Sequence, residues 1–419
     1  MFSPPSRPID STYGWVMAFA SSLMMGMAFG TMLCVTVFLP PLEGEFGWAR
    51  GLTSFAYSSS AFLNGLFGIF IGRLIDRISI RPIVLLGAVM IGLSQVLLSR
   101  IDSLWQLYLL YGVLVGALGG SAFLVPLTAN IGFWFDRHKG LAMSVVLAGQ
   151  SLGGAAMPLL ARWLLGMMDW REAYLVLGLV AWGVLLPLAF LIREPPHRVE
   201  ARSSAGSATN PATVEPAPPP LANVSPKLLL HSLSAAIVLC CICMAIPLIH
   251  VYPLALERGI APAEAAMVLG LMMGTSVVGR IGIGKIADHL GGLRSLLLAS
   301  GAQTAVIFWF SQVGALPGFY TVAILFALGY GGVVPSYAII IRELMPANKV
   351  GVSMGTIFFF GNLGMALGGY LGGLLYDLSG TYTLSYSAGT VAGLLNLMIV
   401  SFLLARARLA GHRLSIASA

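Results

Sequence analysis

Charged residues are scarce in this 419-residue chain, since only 9% of its residues are Asp, Glu, Lys or Arg. In contrast, 58% are hydrophobic and the mean hydropathy is +0.88. Soluble domains carry about 25% charged residues, so this composition excludes an ordinary soluble fold. A bilayer core takes about 20 apolar residues per helix, and such runs fill most of the chain. We therefore predict an all-α protein that crosses a membrane many times.

Carboxylates are absent from the centres of the apolar runs. All 16 Asp and Glu residues lie in predicted loops or close to the end of a run. Paired carboxylates for acid–base chemistry are thus missing from the spans, as are a His/Cys cluster and a Ser/His/Asp set. We accordingly expect no enzymatic activity.

The chain has few cysteines and lacks the common nucleotide-binding motif. The four cysteines, Cys34, Cys240, Cys241 and Cys243, all fall inside apolar runs, where Cys packs as a small hydrophobe. No His or carboxylate follows Cys240, Cys241 or Cys243 at metal-ligand spacing. No G-x-x-x-x-G-K-[ST] run is present, which disfavours a nucleotide-driven pump. We expect neither a metal nor a cofactor.

Twelve apolar runs are long enough to span a bilayer. We expect the first to be retained in the mature protein, because it is too long for a signal peptide and lacks a cleavage site. The predicted spans are 13–39, 52–72, 82–99, 104–131, 140–163, 173–192, 228–254, 264–284, 293–313, 318–341, 350–375 and 383–405.

A stretch rich in Pro, Ala and Ser, "EPPHRVEARSSAGSATNPATVEPAPPPLANVSP", separates the sixth span from the seventh. It has no periodic apolar face, which is typical of an extended or disordered linker. We therefore predict an N-terminal six-helix half at 1–193, a cytoplasmic linker at 194–226, and a C-terminal six-helix half with a short cytoplasmic tail at 227–419.

The basic residues report topology rather than nucleic-acid binding, although the net charge is +7. They cluster in the short segments between spans. With the N-terminus inside, 17 of the 23 Lys and Arg residues lie on the cytoplasmic side and five on the other, and Arg280 lies within a span. This bias predicts that both termini are cytoplasmic.

The two halves repeat one another. "GRLIDRISIRP" from Gly72 matches "GKIADHLGGLR" from Gly284, 212 residues later. "WREAY" from Trp170 lines up with "YTLSY" from Tyr382 at the same spacing. Duplication is the simplest account, and repeats of this kind build transporters whose substrate site lies between the halves near the bilayer midplane.

The residue types of the repeated loop suit contacts at helix ends. Gly72 and Gly284 would let a helix end lie close to a neighbour. Asp76 and Asp288 could accept from backbone N–H groups at a helix N-terminus, and Arg77 could face a helix C-terminus or lipid phosphates. The alternative is that the basic residues of the loop only set the topology.

Arg280, in "LMMGTSVVGRIGIGKIADHLGG", is the only Lys or Arg well inside a span. An ionisable residue there is a functional hypothesis by default. A lone cation without a carboxylate partner is best explained if the ligand is an anion, because guanidinium binds carboxylate through two parallel hydrogen bonds. Alternatively, Arg280 could extend to the cytoplasmic surface. Among the histidines, His250 is the best candidate for a ligand-binding or proton-carrying role. The alternative is a histidine at an interface whose hydrogen bonds are satisfied locally.

Six plus six spans joined by this loop resemble the major facilitator superfamily. Five segments resemble the bacterial branch of its monocarboxylate transporter family, whose relatives include oxalate/formate exchangers. These segments are "YGWVMAFASS", "FLPPLEGEFGWARG", "FWFDRHKGLAMSVVLAGQSLGG", "DWREAYLVLG" and "HVYPLALERGI". The resemblance implies that spans 5 and 8, and spans 2 and 11, pair across a central cavity. It also implies that the repeated loop is a cytoplasmic latch.

The same resemblance implies roles for single residues. Arg280 matches the span 8 arginine that binds the substrate carboxylate, and His250 matches a histidine typical of bacterial members. Tyr330 and Phe359 belong to cavity-facing helices, Asn362 is a further candidate contact, and Tyr382 is a candidate guard of the outer mouth.

Two departures from the family bear on coupling and substrate. Animal members carry an Asp one turn before the arginine and a Lys in span 1, whereas this chain has Ser276 and no Lys between Tyr13 and Leu42. His250, or proton release from the substrate acid, remains as the proton route. The second cation that oxalate exchangers carry in span 11 is also missing, so one fixed charge fits one carboxylate.

We therefore expect a secondary carrier of small monocarboxylates such as lactate or pyruvate, proton-coupled and working by alternating access. It would act as a monomer in the bacterial inner membrane. Three alternatives remain: an oxalate/formate-type organic anion exchanger, an efflux carrier for a bulkier acid, and a membrane sensor that binds an organic acid without moving it. A sensor would be expected to carry a signalling domain or a long cytoplasmic tail.

Overall fold

The computed structural model describes residues 12–75, 78–135, 139–194, 226–345 and 350–417. Every regular element in these ranges is a helix. Twelve of the helical segments are long and apolar enough to cross a membrane. This confirms the predicted all-α fold with twelve spans.

The first six spans form the N-terminal half. Their bounds are α1, Thr12–Leu33 and Val35–Phe46; α2, Arg50–Ile75; α3, Ile80–Leu98; α4, Leu104–Leu109, Leu110–Gly120 and Ser121–Trp134; α5, Lys139–Leu165; and α6, Trp170–Leu191.

The last six spans form the C-terminal half. Their bounds are α7, Pro226–Glu257; α8, Pro262–Leu290; α9, Gly292–Ile307 with a 3₁₀ turn at Phe308–Ser311; α10, Leu316–Leu344; α11, Val350–Ser379; and α12, Tyr382–Ala417. Most of the predicted linker at 194–226 lies outside the described residues.

Two local irregularities were not predicted. α1 is interrupted at Cys34, and its second segment runs through two prolines to Phe46. The middle of α4 is a π-helix over Leu110–Gly120. A Cβ on Gly116 would lie 2.8 Å from the Ser60 Cα, so glycine lets α4 and α2 touch there.

The two halves meet along two pairs of helices. α2 packs against α11, and α5 packs against α8. These are the pairings that the family resemblance implies, and they are confirmed. Glycines permit the close approach: a Cβ on Gly65 of α2 would lie 2.7 Å from the Asn362 Cβ of α11.

Because successive spans alternate in direction, α1 begins and α12 ends at the same end of the bundle. We call this the terminal end. The opposite, or distal, end holds the α1–α2 and α11–α12 connections. Described contacts between α2 and α11 run from Gly51 beside Leu374, near the distal end, to Gly65 beside Asn362. Nearer the terminal end, a Cβ on Gly68 or Gly72 of α2 would meet Val125 of α4 and no described atom of α11 within 4 Å. The described contacts of this pair of helices therefore close its distal end.

Candidate functional site

Arg280 lies in α8 at the contact between the two halves. Its Nη1 donates to the Leu147 carbonyl of α5 at 2.7 Å. Its Nε is buried without a hydrogen-bond partner, and no carboxylate of the described ranges lies within 4.0 Å of the guanidinium. A guanidinium carries five N–H donors and stays protonated. The side chain therefore has donors and a charge to offer to a ligand.

Two glycines fix the backbone around Arg280. A Cβ on Gly331 of α10 would lie 2.8 Å from the Arg280 backbone nitrogen, and a Cβ on Gly279 would lie 2.9 Å from the Ala327 carbonyl oxygen. α8 and α10 therefore cross in backbone contact at this level. A larger residue at either position would push the helices apart and move the guanidinium.

Ser276, one turn before Arg280, also links the halves. Its Oγ lies 2.8 Å from the Ser151 Oγ of α5 and 2.6 Å from the Met273 carbonyl oxygen. Ser276 and Ser151 are both fully buried. The position therefore holds α5 against α8 through a neutral hydrogen bond, with no fixed negative charge beside the guanidinium.

Tyr330 of α10 faces the same region. It interacts electrostatically with Arg280 and with Tyr57 of α2, and it is almost fully buried. Its ring stacks on Phe326, with centroids 6.3 Å apart and planes 9° apart. Of the residues named from the sequence, Tyr330 is the one whose described interactions include Arg280.

Phe359 and Asn362 lie elsewhere, at the crossing of α11 with α2. The Phe359 ring centroid is 6.3 Å from that of Phe62. Asn362 Nδ2 donates to the Phe358 carbonyl of its own helix. None of these described contacts involves Arg280.

His250 of α7 is fully buried and makes two hydrogen bonds. Its Nε2 donates to the Gly369 carbonyl of α11 at 2.9 Å, and its Nδ1 lies 3.3 Å from the Tyr382 hydroxyl of α12. A carbonyl can only accept, so in the neutral ring Nε2 carries the hydrogen and Nδ1 accepts from the hydroxyl. A Cβ on Gly372 would lie 2.5 Å from Nε2, so glycine makes room for the ring. The ring therefore packs among α7, α11 and α12 with both nitrogens in hydrogen bonds.

Tyr382 connects His250 to a cluster at the distal end. Arg50, at the start of α2, donates from Nη1 to the Tyr382 hydroxyl at 3.2 Å. Its Nε and Nη2 form a bidentate pair with Glu43 at 3.0–3.2 Å, and its Cζ lies 4.3 Å from the Tyr376 ring centroid. Arg50 thereby ties the N-terminal half to α11 and α12.

Asp377 of α11 closes the same end from the opposite side. Its carboxylate accepts from the backbone N–H groups of Arg50, at 3.1 Å, and of Gly51, at 2.6 Å. These are orphan donors of the first turn of α2, which a carboxylate both pairs and stabilises through the helix dipole. We call Glu43, Arg50, Tyr382 and Asp377 the distal clamp.

Three of the four clamp residues were missed by sequence reasoning, which selected only Tyr382. In the sequence, Glu43, Arg50 and Asp377 are charges at the ends of spans, and such charges ordinarily face water. One signal could have found them: Arg50 and Gly51 open a span, and Asp377 ends the span that the repeat and the family likeness pair with it.

The predicted latch is described only in part. Gly72 lies in α2 with an α4 side chain 3.6 Å from the position of a Cβ. A Cβ on Gly284 would meet no described atom within 4 Å, so Gly284 makes no close approach to the part of the chain that the structure describes. Asp76 and Arg77 lie outside the described residues, as does the side chain of Asp288.

The chain is similar to known transporters over most of its length. It is 29% identical over 366 residues to the MFS-type transporter YcxA of Bacillus subtilis, covering 83% of this chain and 84% of that protein. It is 27% identical over 393 residues to monocarboxylate transporter 13 of Bos taurus, covering 91% and 87%. It is 26% identical over 408 residues to human monocarboxylate transporter 11, covering 92% and 82%.

Solved structures show the same fold. The fold matches a bacterial homologue of the human lysosomal transporter Spinster in its inward-facing, unoccupied form, with a TM-score of 0.65 and 17% identity. That match covers 96% of this chain and 97% of the other. The sequence itself matches the Major Facilitator Superfamily over residues 14–369. The chain belongs to the major facilitator superfamily.

Proposed function

We propose that this protein is a secondary carrier that moves a small monocarboxylate of the lactate or pyruvate type together with a proton. Arg280 is the carboxylate anchor. The carrier works as a monomer in the bacterial inner membrane by alternating access, in which the site between the halves opens to one side at a time.

The observation that carries this proposal is the unpaired guanidinium of Arg280. It lies at the contact between the halves with one described hydrogen bond, to a carbonyl, and a buried Nε without a partner. A buried charge without a counter-ion costs several kcal/mol. A bound carboxylate would remove that cost by accepting two charge-assisted hydrogen bonds.

The surroundings of Arg280 suit a small acid with a single carboxylate. Tyr330 places a hydroxyl within electrostatic range of the guanidinium and an aromatic wall stacked on Phe326. Phe359 and Asn362 complete the site from α11 when the halves move. The monocarboxylate transporters among the relatives are similar over almost the whole chain, which supports the same substrate class.

The distribution of basic residues supports a cytoplasmic location for the terminal end, with both termini inside. The described state, closed at the distal clamp, is then the inward-facing one. Tyr382 gates the outer mouth. The loop at Gly72, Asp76 and Arg77 acts with Gly284 and Asp288 as the cytoplasmic latch in the opposite state.

The test is uptake of radiolabelled L-lactate into proteoliposomes under an inward proton gradient. The unaltered protein is compared with Arg280→Met and with Lys285→Met, a control that removes an exposed charge from the same helix. We expect accumulation that a protonophore abolishes, loss of uptake in Arg280→Met, and normal uptake in Lys285→Met. Size-exclusion profiles establish that all three proteins are folded.

Two outcomes would contradict the proposal. If the folded, unaltered protein transports no lactate, pyruvate or other monocarboxylate, the substrate class is wrong; counterflow with oxalate and formate then tests the exchanger alternative. If Arg280→Met transports as well as the parent, the arginine is not the anchor.

A further inference from the structure

A short series of neighbouring residues leads from Arg280 to the distal clamp. Arg280 lies within electrostatic range of Tyr330, and Tyr330 within that of Tyr57. The Tyr57 ring lies against Gly369, where a Cβ would be 2.9 Å from its Cδ1. The Gly369 carbonyl in turn accepts the hydrogen bond from His250 Nε2. The candidate substrate site and His250 are therefore separated by one tyrosine and one glycine.

The hydrogen-bond order at His250 depends on its protonation state. In the neutral ring Nε2–H donates to the Gly369 carbonyl, so Nδ1 holds the lone pair that the Tyr382 hydroxyl donates to. The Tyr382 oxygen is then left to accept from Arg50. A proton added at Nδ1 turns that acceptor into a donor, so the hydrogen of the Tyr382 hydroxyl loses its acceptor.

A charged ring would also lack a counter-ion in the closed clamp. It would lie two hydrogen bonds from the Arg50 guanidinium, and the surrounding carboxylates are already engaged. Glu43 pairs with Arg50, Asp377 with the start of α2, and Glu257 with the Tyr376 hydroxyl. Among the described residues, the titratable groups around the ring on its own and neighbouring helices are Glu43, Arg50, Tyr57, Glu257, Tyr376, Asp377, Tyr382 and Tyr386.

We propose that Nδ1 of His250 is the proton site that opens the distal clamp, and that a carboxylate anion bound at Arg280 restores its closure. The role of the anion bound at Arg280 rests on the proposed function. The closed clamp tolerates a neutral ring above an empty site, or a charged ring above a bound anion. A charged ring above an empty site places two cations, His250 and Arg280, without a counter-ion. Proton and anion are thereby moved together.

The test measures opening of the distal end directly in the full chain. Spin labels are placed on Ala49→Cys and Leu378→Cys, two exposed positions beside the clamp, after the four native cysteines are replaced. Interspin distances are recorded as the pH falls from about 8 to about 5, the range that brackets the ordinary histidine pKa. We expect the long-distance population to rise about tenfold, and added L-lactate to reverse the rise.

Two variants assign the response. His250→Gln keeps a donor for the Gly369 carbonyl but cannot gain a proton, so its distance distribution should not depend on pH. His231→Gln, which alters an exposed histidine of the same helix, should respond as the parent does. A short distance at high pH in His250→Gln shows that the clamp still forms.

Three results would overturn the inference. These are a parent distance that does not depend on pH, a His250→Gln variant that opens at low pH as the parent does, and a transported lactate that leaves the acid-opened clamp unchanged. A failure of the proposed function would be distinguishable from a failure of this inference. If no monocarboxylate is transported while the His250-dependent opening persists, the substrate class is wrong and the proton site stands.

Discussion

Replacing Asp377 by Asn isolates one arm of the distal clamp. The carboxylate now accepts from two backbone N–H groups of α2, at 3.1 Å and 2.6 Å. Asn keeps one acceptor oxygen and nearly the same shape, but it loses the second acceptor and the negative charge at the helix N-terminus. Because the two partners belong to different halves, the loss weakens distal closure more than it weakens either half.

The size of the effect follows from the two lost terms. One hydrogen bond contributes about 1 kcal/mol, and a charge beside a helix terminus about 0.3–1 kcal/mol. Asp377 is exposed, so solvent screening favours the lower end. A loss of about 1.4 kcal/mol shifts the equilibrium about tenfold toward the distal-open state.

The assay is the rate at which a maleimide modifies Ser58→Cys, with the four native cysteines replaced. Ser58 lies in α2 at the contact with Gly369 and is only 2% exposed, so modification reports opening. Asp377→Asn should raise the rate about tenfold, whereas Glu264→Gln, an exposed acid at the distal start of α8, should leave it unchanged. An unchanged rate in Asp377→Asn would refute the clamp.

Two further substitutions test packing and the substrate site. Gly372→Ala would place a Cβ 2.5 Å from His250 Nε2. We expect the free energy of unfolding to fall by about 1–3 kcal/mol, which a lower Tm would show. The control is Gly355→Ala in the same helix, whose Cβ would meet no described atom within 4 Å and which should leave the Tm near that of the parent. Tyr330→Phe keeps the ring and removes the hydroxyl on the side of the guanidinium. We expect KM for lactate to rise about fivefold to tenfold, because a hydrogen bond from a neutral group contributes about 1 kcal/mol. Tyr320→Phe, near the start of the same helix, is the control and should leave KM unchanged.

The twelve spans could be predicted because bilayer crossing is a local property of sequence. About 20 apolar residues per helix suffice, and each predicted span corresponds to a helix of the structure. The helix ends were harder, because polar residues can continue a helix beyond the apolar run. α7, for example, extends from Pro226 to Glu257, beyond the predicted span at 228–254.

Arg280 could be selected from sequence because its position in a span is unusual on its own. Its described partner, the Leu147 carbonyl, could not, because backbone groups carry no sequence signal. The distal clamp shows the same limit more strongly. Arg50 and Asp377 are 327 residues apart in the chain, and only the packing of α2 against α11 turns two ordinary span-end charges into partners.

The charge pattern links the two sites into one mechanism. At the distal end two described cations have an anion: Arg50 pairs with Glu43 and Arg171 with Glu45. Deeper, Arg280 has a carbonyl oxygen but no carboxylate among the described residues. The cost of enclosing that charge falls when an anion fills the site. A carrier built in this way closes more readily with its substrate than without it, so return of the empty carrier would limit net uptake while exchange remains fast.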